Sequence, residues 1–419
     1  MNKLDVVLGL QWGDEGKGKI VDVLTPEYDV VARFQGGPNA GHSIYFQDKS
    51  FVLHTVPSGI FRAEAQNIIG NGVVVDPIIL MEEIHAIEQM GVDVNSHLLM
   101  SKRAHLILPT HRMLDAASEK QKGDKKVGTT GKGIGPAYTD KIARNGLRVG
   151  DLLNNDFLAR YNQLKAAHCA LLGIDEHIDD EAWLSAANEL RQFRIVDNEV
   201  LVNEWLREGK TILAEGAQGS LLDVDFGSYP FVTSSSTLAA GACVGLGVAP
   251  AHIGKVYGIF KAYCTRVGSG PFPTELFDQT GDTLRRIGHE YGATTGRPRR
   301  CGWLDLVALK YAVMMNAATS LIMMKSDVLD SFDTIKVCVG YTTKDGQQID
   351  YFPYDAQSDD IVPVYKEFAG WKTDITSCRT YRSLPDELKD YIRFIEQQTG
   401  VKVGVVSVGP DREATIIRS

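Results

Sequence analysis

Gly9-Leu10-Gln11-Trp12-Gly13-Asp14-Glu15-Gly16-Lys17-Gly18-Lys19-Ile20 follows directly on a short apolar run, residues 4–8. A buried strand feeding a glycine-rich turn is the expected structure. Glycine lets a backbone approach a ligand and aim several N–H groups at it, and lysine adds point charges, so the turn suits phosphate. From Gly13 to Lys19 the spacing is that of a P-loop, G-x4-G-K. Ile20 stands where such loops carry the hydroxyl that holds Mg²⁺, which leaves Asp14 as the substitute metal ligand. A lysine-rich surface turn is the alternative.

Outward from this turn, β-rich runs at residues 30–34, 51–56, 67–69 and 73–75 follow one another. Between the first two lies a second glycine-rich turn after a strand, Gln35-Gly36-Gly37-Pro38-Asn39-Ala40-Gly41-His42-Ser43. Asp76-Pro77 reads as an N-cap with proline in the first turn; Leu80, Ile84 and Ile87 keep helical spacing, and Gly91 closes the helix. Residues 98–100, 106–108, 211–214, 256–260, 321–325 and 403–408 read as strands. Residues 157–172, 181–191, 305–315 and a segment from Pro385 read as helices. Residues 118–126 are polar and read as a mobile loop. The alternation predicts an α/β fold: a large, mostly parallel central sheet flanked by helices, with a P-loop-NTPase-like nucleotide site, in one compact domain with functional loop insertions spanning 1–419. Ligands of such sheets gather at the carboxyl ends of the strands, where both turns fall.

Composition narrows the class. The 419 residues carry a formal charge of −9, which argues against general nucleic-acid binding. Basic residues are concentrated instead: residues 120–148 hold eight Lys/Arg, and residues 285–300 hold five Arg. An acidic protein with such basic pockets suits small anions focused into a cleft. The six cysteines are scattered without C-x-x-C, so a disulfide framework or zinc site is not expected and a reducing compartment is. No signal peptide is read at the start. Residues 226–254 lack Asp, Glu, Lys and Arg but are rich in Ser, Thr, Gly and Pro, so they read as buried loops and not a membrane span. A cytoplasmic, soluble protein with no membrane partner is expected.

Three further stretches carry chemistry. Val127-Gly128-Thr129-Thr130-Gly131-Lys132-Gly133-Ile134-Gly135-Pro136 is a candidate second phosphate cradle. Thr294-Thr295-Gly296-Arg297-Pro298-Arg299-Arg300 suits a carboxylate substrate, because arginine binds carboxylates bidentately; a salt-bridged surface loop is the alternative. At Lys325-Ser326-Asp327, a carboxylate could accept two N–H bonds from guanine while the lysine stem covers the ring, against an ordinary exposed turn. His42, between a glycine and a hydroxyl after a presumed strand, is either an acid–base group or a structural histidine.

Five motifs, Gly-Asp-Glu-Gly-Lys-Gly-Lys (13–19), Gly-Pro-Asn-Ala-Gly-His (37–42), Gly-Thr-Thr-Gly-Lys-Gly-Ile-Gly-Pro (128–136), Glu-Gly-Ala-Gln-Gly (215–219) and Thr-Thr-Gly-Arg-Pro-Arg-Arg-Cys-Gly-Trp-Leu-Asp (294–305), resemble the adenylosuccinate synthetase family in order and over essentially the whole chain. The resemblance implies a homodimeric carbon–nitrogen ligase that joins IMP to L-aspartate with hydrolysis of GTP, through a 6-phosphoryl-IMP intermediate, in AMP synthesis. It implies catalytic roles for Asp14, Lys17, His42 and Gln218, with Asp14 as the base at N1 of IMP. One Mg²⁺ per subunit would lie on Asp14 and the Gly41 carbonyl. GTP would be held by Gly13, Asp14, Glu15, Gly16, Lys17, Gly18, Lys19, Gly41, His42, Ser43 and Arg299, with Lys325, Ser326, Asp327, Ser407, Val408 and Gly409 framing guanine. IMP would meet Asp14, Lys17, Asn39, Ala40, Gly41, His42, Thr130, Gln218, Thr233 and Arg297, and Arg144 of the other subunit. Aspartate would meet Ala293, Thr294, Thr295, Gly296, Arg297, Pro298 and Arg299. The chain departs from the commoner family pattern at Met324-Lys325-Ser326-Asp327, at Gly41-His42-Ser43 and at Ser407-Val408-Gly409-Pro410, where Val408 replaces a hydroxyl. From the residues alone, a GTP-binding switch without a second substrate, or another nucleotide-dependent ligase, stays open.

Overall fold

In the computed structural model the described residues are 3–46, 49–123, 127–175, 178–292, 296–354 and 360–418. Ten strands form the central sheet: β1 (Leu4–Gly9), β2 (Val30–Arg33), β3 (Gln66–Ile69), β4 (Leu98–Ser101), β5 (Arg194–Val196), β6 (Ile212–Glu215), β7 (Ile253–Lys261), β8 (Ser320–Met324), β9 (Val403–Ser407) and β10 (Thr415–Ile417). Their order is β10-β9-β8-β7-β1-β6-β2-β3-β4-β5. Only the β9–β10 pair is antiparallel. The first strand therefore lies in the interior, with Leu4 opposite Ile212 on one side and Ile253 on the other.

Both faces of this sheet are covered, which is why its strands read as nearly continuous apolar runs. Leu4, Val6 and Leu8 enter the large core on one face. Val7 points to the other face, where it packs with Ile20, Val21 and Leu24 of the helix Lys17–Leu24. That short helix has little intrinsic stability and is held by this packing. Burying each of those aliphatic side chains contributes about 1.5–3 kcal/mol, so a charge at Val7 would detach the helix and the turn before it.

Helices Phe157–Leu172 and Pro77–Glu88 form as the periodicity predicts, the second capped by the Asp76 carboxylate on the N–H groups of Ile78 and Ile79. Other segments differ from expectation. The polar residues 118–122 continue the helix Pro109–Lys122, whose inner face supplies buried Thr110, His111 and Asp115. The last three residues of the presumed cradle at 127–136 open the helix Ile134–Ala143. Residues 240–246 in the charge-free stretch are helical, and Gly241 and Gly245 let that helix lie against Phe34, just past the end of β2. The strand expected at 51–56 is one arm of an antiparallel hairpin, His42–Phe46 with Lys49–Leu53. A further antiparallel ribbon, Thr334–Thr343 with Ile361–Ala369, was not foreseen. Among the described residues no helix is long and apolar enough to cross a membrane.

Candidate active site

The carboxyl ends of β9, β8, β7, β1, β6 and β2 form one edge of the sheet, and the sequence-predicted segments leave from it in spatial order. Residues 407–409 and 325–327 lie at one end, the 10–16 turn in the middle, and residues 215–219 and 34–42 at the other. Parallel strands place all their exits on one side, so segments hundreds of residues apart meet there.

The first turn is shaped by left-handed backbone at Gly13 (φ 87°), Asp14 (φ 58°) and Gly16 (φ 93°). Glu15 is fully buried beneath it: its carboxylate accepts the N–H of Gln11 at 3.1 Å and of Gly13 at 2.9 Å, and the Lys17 ammonium at 2.6 Å. Glu15 is thus a strut of the loop. Lys17 also donates to the Gln218 carbonyl, joining the turn to the one after β6. Gly18 has no room for a side chain, since a Cβ there would lie 2.8 Å from the His42 Cβ. The close approach seats the hairpin bearing His42 and Ser43 on the helix.

Lys19, the lysine of the P-loop spacing, does not face the turn. Its buried ammonium donates to Ser407 Oγ at 2.8 Å, the Gly409 carbonyl at 2.8 Å and the Ala414 carbonyl at 3.1 Å. Three donors are spent there, so the side chain ties the 407–414 loop to the helix, and only the Lys19 backbone remains for a ligand of the turn. Val408 differs too. Its side chain is in the core and its N–H is given to the Ala414 carbonyl. Ser326 Oγ is buried without a hydrogen-bond partner, and Lys325 is left-handed (φ 61°), its ammonium donating to the Gly288 carbonyl. Asp327 is half-buried, and burial raises its pKa against the pull of Lys325 and Lys19.

A cavity of about 260 Å³ opens beside the first turn. Gly13, Asp14, Gly16 and Lys17 form one wall, and Asn39, Ala40, Gly41 and His42 another. Thr130, Gln218, Thr233 and Arg297 complete the set expected to meet IMP, all but Arg144. Gln218 is left-handed (φ 55°), and neither end of its amide has a hydrogen-bond partner. Asn39 Oδ1 is likewise buried and unpaired. Arg144 is exposed, in left-handed conformation at the end of the helix Ile134–Ala143, and does not line this cavity.

His42 Nδ1 lies 2.5 Å from Glu215 Oε1, and Glu215 also accepts the Ser58 N–H at 2.8 Å and hydroxyl at 2.7 Å. Burial raises the Glu215 pKa, but His42, Arg33 and Ser58 together hold it below the ordinary value. An ionised Glu215 only accepts, so the ring proton sits on Nδ1, and Nε2 is buried without a partner in a residue that lines the cavity. Burial, with repulsion from Arg33 and Lys17, lowers the His42 pKa to about 4.

Asp14 Oδ2 accepts Arg299 Nε at 2.7 Å, while Arg299 Nη1 donates to Glu290 Oε2 at 2.8 Å. Burial opposes the charge on Asp14, but Arg299, Lys261 and Lys17 leave its pKa lowered. Glu290, fully buried, also accepts Lys261 at 2.9 Å and the Tyr263 hydroxyl at 2.5 Å, with Lys325 3.4 Å away. These cations overcome its burial and keep it ionised. Glu290, Arg33 and Lys261 escaped the sequence reading, and Glu215 entered it only as the first residue of the 215–219 motif, with no role; a buried charge demands an opposite partner, but nothing local says which. Gly296, Arg297 and Pro298 are exposed beside the cavity, whereas Ala293, Thr294 and Thr295 lie outside the described residues.

The glycine-rich loop at 127–133 is not an empty phosphate cradle. The N–H groups of Val127, Gly128 and Thr129 converge on the Glu119 carboxylate at 3.3, 2.8 and 3.3 Å, and the Gly133 N–H meets Asp115 at 3.0 Å.

Comparison with known proteins agrees with this geometry. Residues 6–416 match the family model described as adenylosuccinate synthetase. The chain is 61% identical over 421 residues to the adenylosuccinate synthetase of Bacteroides fragilis, covering 99% of each. To that of Porphyromonas gingivalis it is 59% identical over 424 residues, covering 100% of each. The structure of fully ligated adenylosuccinate synthetase from Plasmodium falciparum superposes with a TM-score of 0.95 at 40% identity, covering 100% of both chains. A GTP switch without a second substrate is not favoured. The chain therefore belongs to the adenylosuccinate synthetase family, the ligases that join IMP to L-aspartate with GTP as co-substrate.

Proposed function

We propose that in this ligation Asp14 removes the N1 proton of IMP and His42 serves the γ-phosphoryl group as it passes to O6. The observation that carries the proposal is that Asp14, His42, Lys17 and Gln218, drawn from three separate strand ends, line one cavity. A lactam oxygen is a poor leaving group, so an amine cannot displace it directly. With N1 deprotonated, O6 attacks the γ-phosphorus; the O6–P bond forms, the bond from phosphorus to the β,γ-bridging oxygen breaks, and GDP leaves. The aspartate amine then attacks C6, and phosphate departs with O6.

Arg299 holds Asp14 through Oδ2, which leaves Oδ1 to meet N1, and Glu290 keeps the guanidinium in place. His42, neutral with Nδ1–H on Glu215, gains a proton at Nε2 when anionic phosphate raises its pKa, and then donates to the transferring group. Gln218, with both amide atoms unpaired, offers a donor and an acceptor to the IMP ring. Asp14 and the Gly41 carbonyl form an all-oxygen donor set that suits Mg²⁺. When bound, the ion would neutralise charge on the phosphates. Thr130, Thr233 and Asn39 would hold IMP, Arg297 with the neighbouring loop would hold aspartate, and Asp327 would read guanine. The chain would act as a homodimer with Arg144 serving the partner's IMP.

Positional isotope exchange in labelled GTP, with IMP and Mg²⁺ present and aspartate omitted, tests the order of steps. Scrambling of the bridging label should require IMP, and should fall by roughly 10²–10⁴ in His42→Asn, with Asp14→Asn at or beyond the upper end. An Asp14→Asn enzyme that scrambles at the native rate but makes no product would move Asp14 to the second step.

A further inference from the structure

Asp115 and Glu119 stand four residues apart on the helix Pro109–Lys122, so they share one face. They take opposite ends of the same loop. Glu119 accepts three consecutive N–H groups, those of residues 127–129, and Asp115 accepts the one at Gly133. Gly133 is also pressed on the helix: its backbone is left-handed (φ 73°), and a Cβ would lie 2.9 Å from the Arg112 nitrogen and the His111 Cβ. Between the two anchors Lys132 reaches away from the helix and donates to the Pro38 carbonyl at 2.6 Å, fastening the loop to the turn that carries Asn39. Thr129, at the edge of the Glu119 anchor, and Thr130, between the two anchors, are exposed and line the cavity.

A nest of three successive N–H groups is the arrangement by which backbones ordinarily bind anions. Here the chain fills it with its own carboxylate. Burial works against the Glu119 charge, yet the N–H groups of Gly128, Thr129 and Val127 leave its pKa lowered, so it is ionised and accepts only. We infer that Asp115 and Glu119 are positioning residues for IMP: they staple the 127–133 loop to the helix so that the Thr130 hydroxyl is presented to the nucleotide in a set place. The inference rests on the reading of Thr130 as an IMP contact.

The test uses the full-length enzyme and steady-state kinetics with IMP and GTP varied separately. Glu119→Ala and Asp115→Asn should raise the IMP KM roughly tenfold or more, the size expected when a positioned contact is misplaced, with kcat at saturation and the GTP KM little changed. Glu119→Gln, which keeps an acceptor but sets an NH₂ against an N–H, should fall between Glu119→Ala and the parent. In the ligand-free protein, hydrogen exchange of amides 127–129 should quicken in Glu119→Ala while β1 and β6 stay protected. In a Thr130→Ala background Glu119→Ala should add nothing further. A Glu119→Ala enzyme with native IMP KM would overturn the inference, as would one that binds IMP more tightly, since the carboxylate would then be a plug competing with phosphate. Native IMP KM in Thr130→Ala itself would instead remove the reading beneath it.

Discussion

Seven non-glycine residues among those described adopt left-handed backbone, and four of them, Asp14, Arg144, Gln218 and Lys325, are among those expected from the family resemblance to contact ligands. Each costs on the order of 1 kcal/mol, and such strain persists where surrounding structure enforces it, most often at functional sites. His42 stores free energy in another form. Its folded pKa of about 4 lies below its ordinary 6.5, with burial the main cause. As pH falls through that window the unfolded chain takes up a proton that folded His42 refuses, so folding loses stability towards acid. His42→Asn removes this titration and should show a smaller drop in Tm between pH 6.5 and 4 than the parent. Thermal melts across the window decide it: equal slopes would place the titration on other histidines.

At the scale of elements, each strand end contributes one short segment, and the Lys19 staple sets two of them together. Through Lys19 the helix after β1 holds the loop after β9 beside the loop after β8, where Asp327 lies. If Asp327 accepts two N–H bonds from guanine, Asp327→Asn should lose use of GTP and gain use of XTP, whose ring presents a carbonyl there. A buried mismatched pair costs about 1–3 kcal/mol, which predicts a change in relative kcat/KM of roughly fivefold to 150-fold; an unchanged preference for GTP would remove Asp327 from the base site. The elements differ in how plainly the sequence announces them. The turns at 13–19 and 35–43 were legible because their glycines and charges are contiguous and the strands before them are apolar. The helix Pro109–Lys122 was not read at all, because its last turns are solvated and polar while its inner face carries Asp115 and Glu119 instead of an apolar stripe. Glu215 and Glu290 lay hidden for a related reason: a carboxylate that pairs with a histidine 173 residues away looks like any other. The P-loop spacing fixes where Lys19 is and not which way its ammonium turns, here towards the 407–414 loop.

At the scale of the whole molecule, exposed Arg144 and the cavity it does not line motivate one more experiment. If Arg144 completes the partner's site, Arg144→Leu should weaken IMP binding with the fold intact, and mixing it with Asp14→Asn should restore part of the activity. An inactive mixture, with subunit exchange verified, would confine Arg144 to its own chain. The sheet order carries a different consequence, one of timing. β1, the first strand in the chain, needs β6 and β7 at its flanks, and these come more than two hundred residues later. Its backbone groups stay unpaired until most of the polypeptide has left the ribosome, and pairings so distant in sequence form slowly. The phosphate turn hung on β1 can take shape only then. A nascent chain that has not reached β7 holds the whole motif from Gly13 to Lys19 and should still be unable to bind GTP.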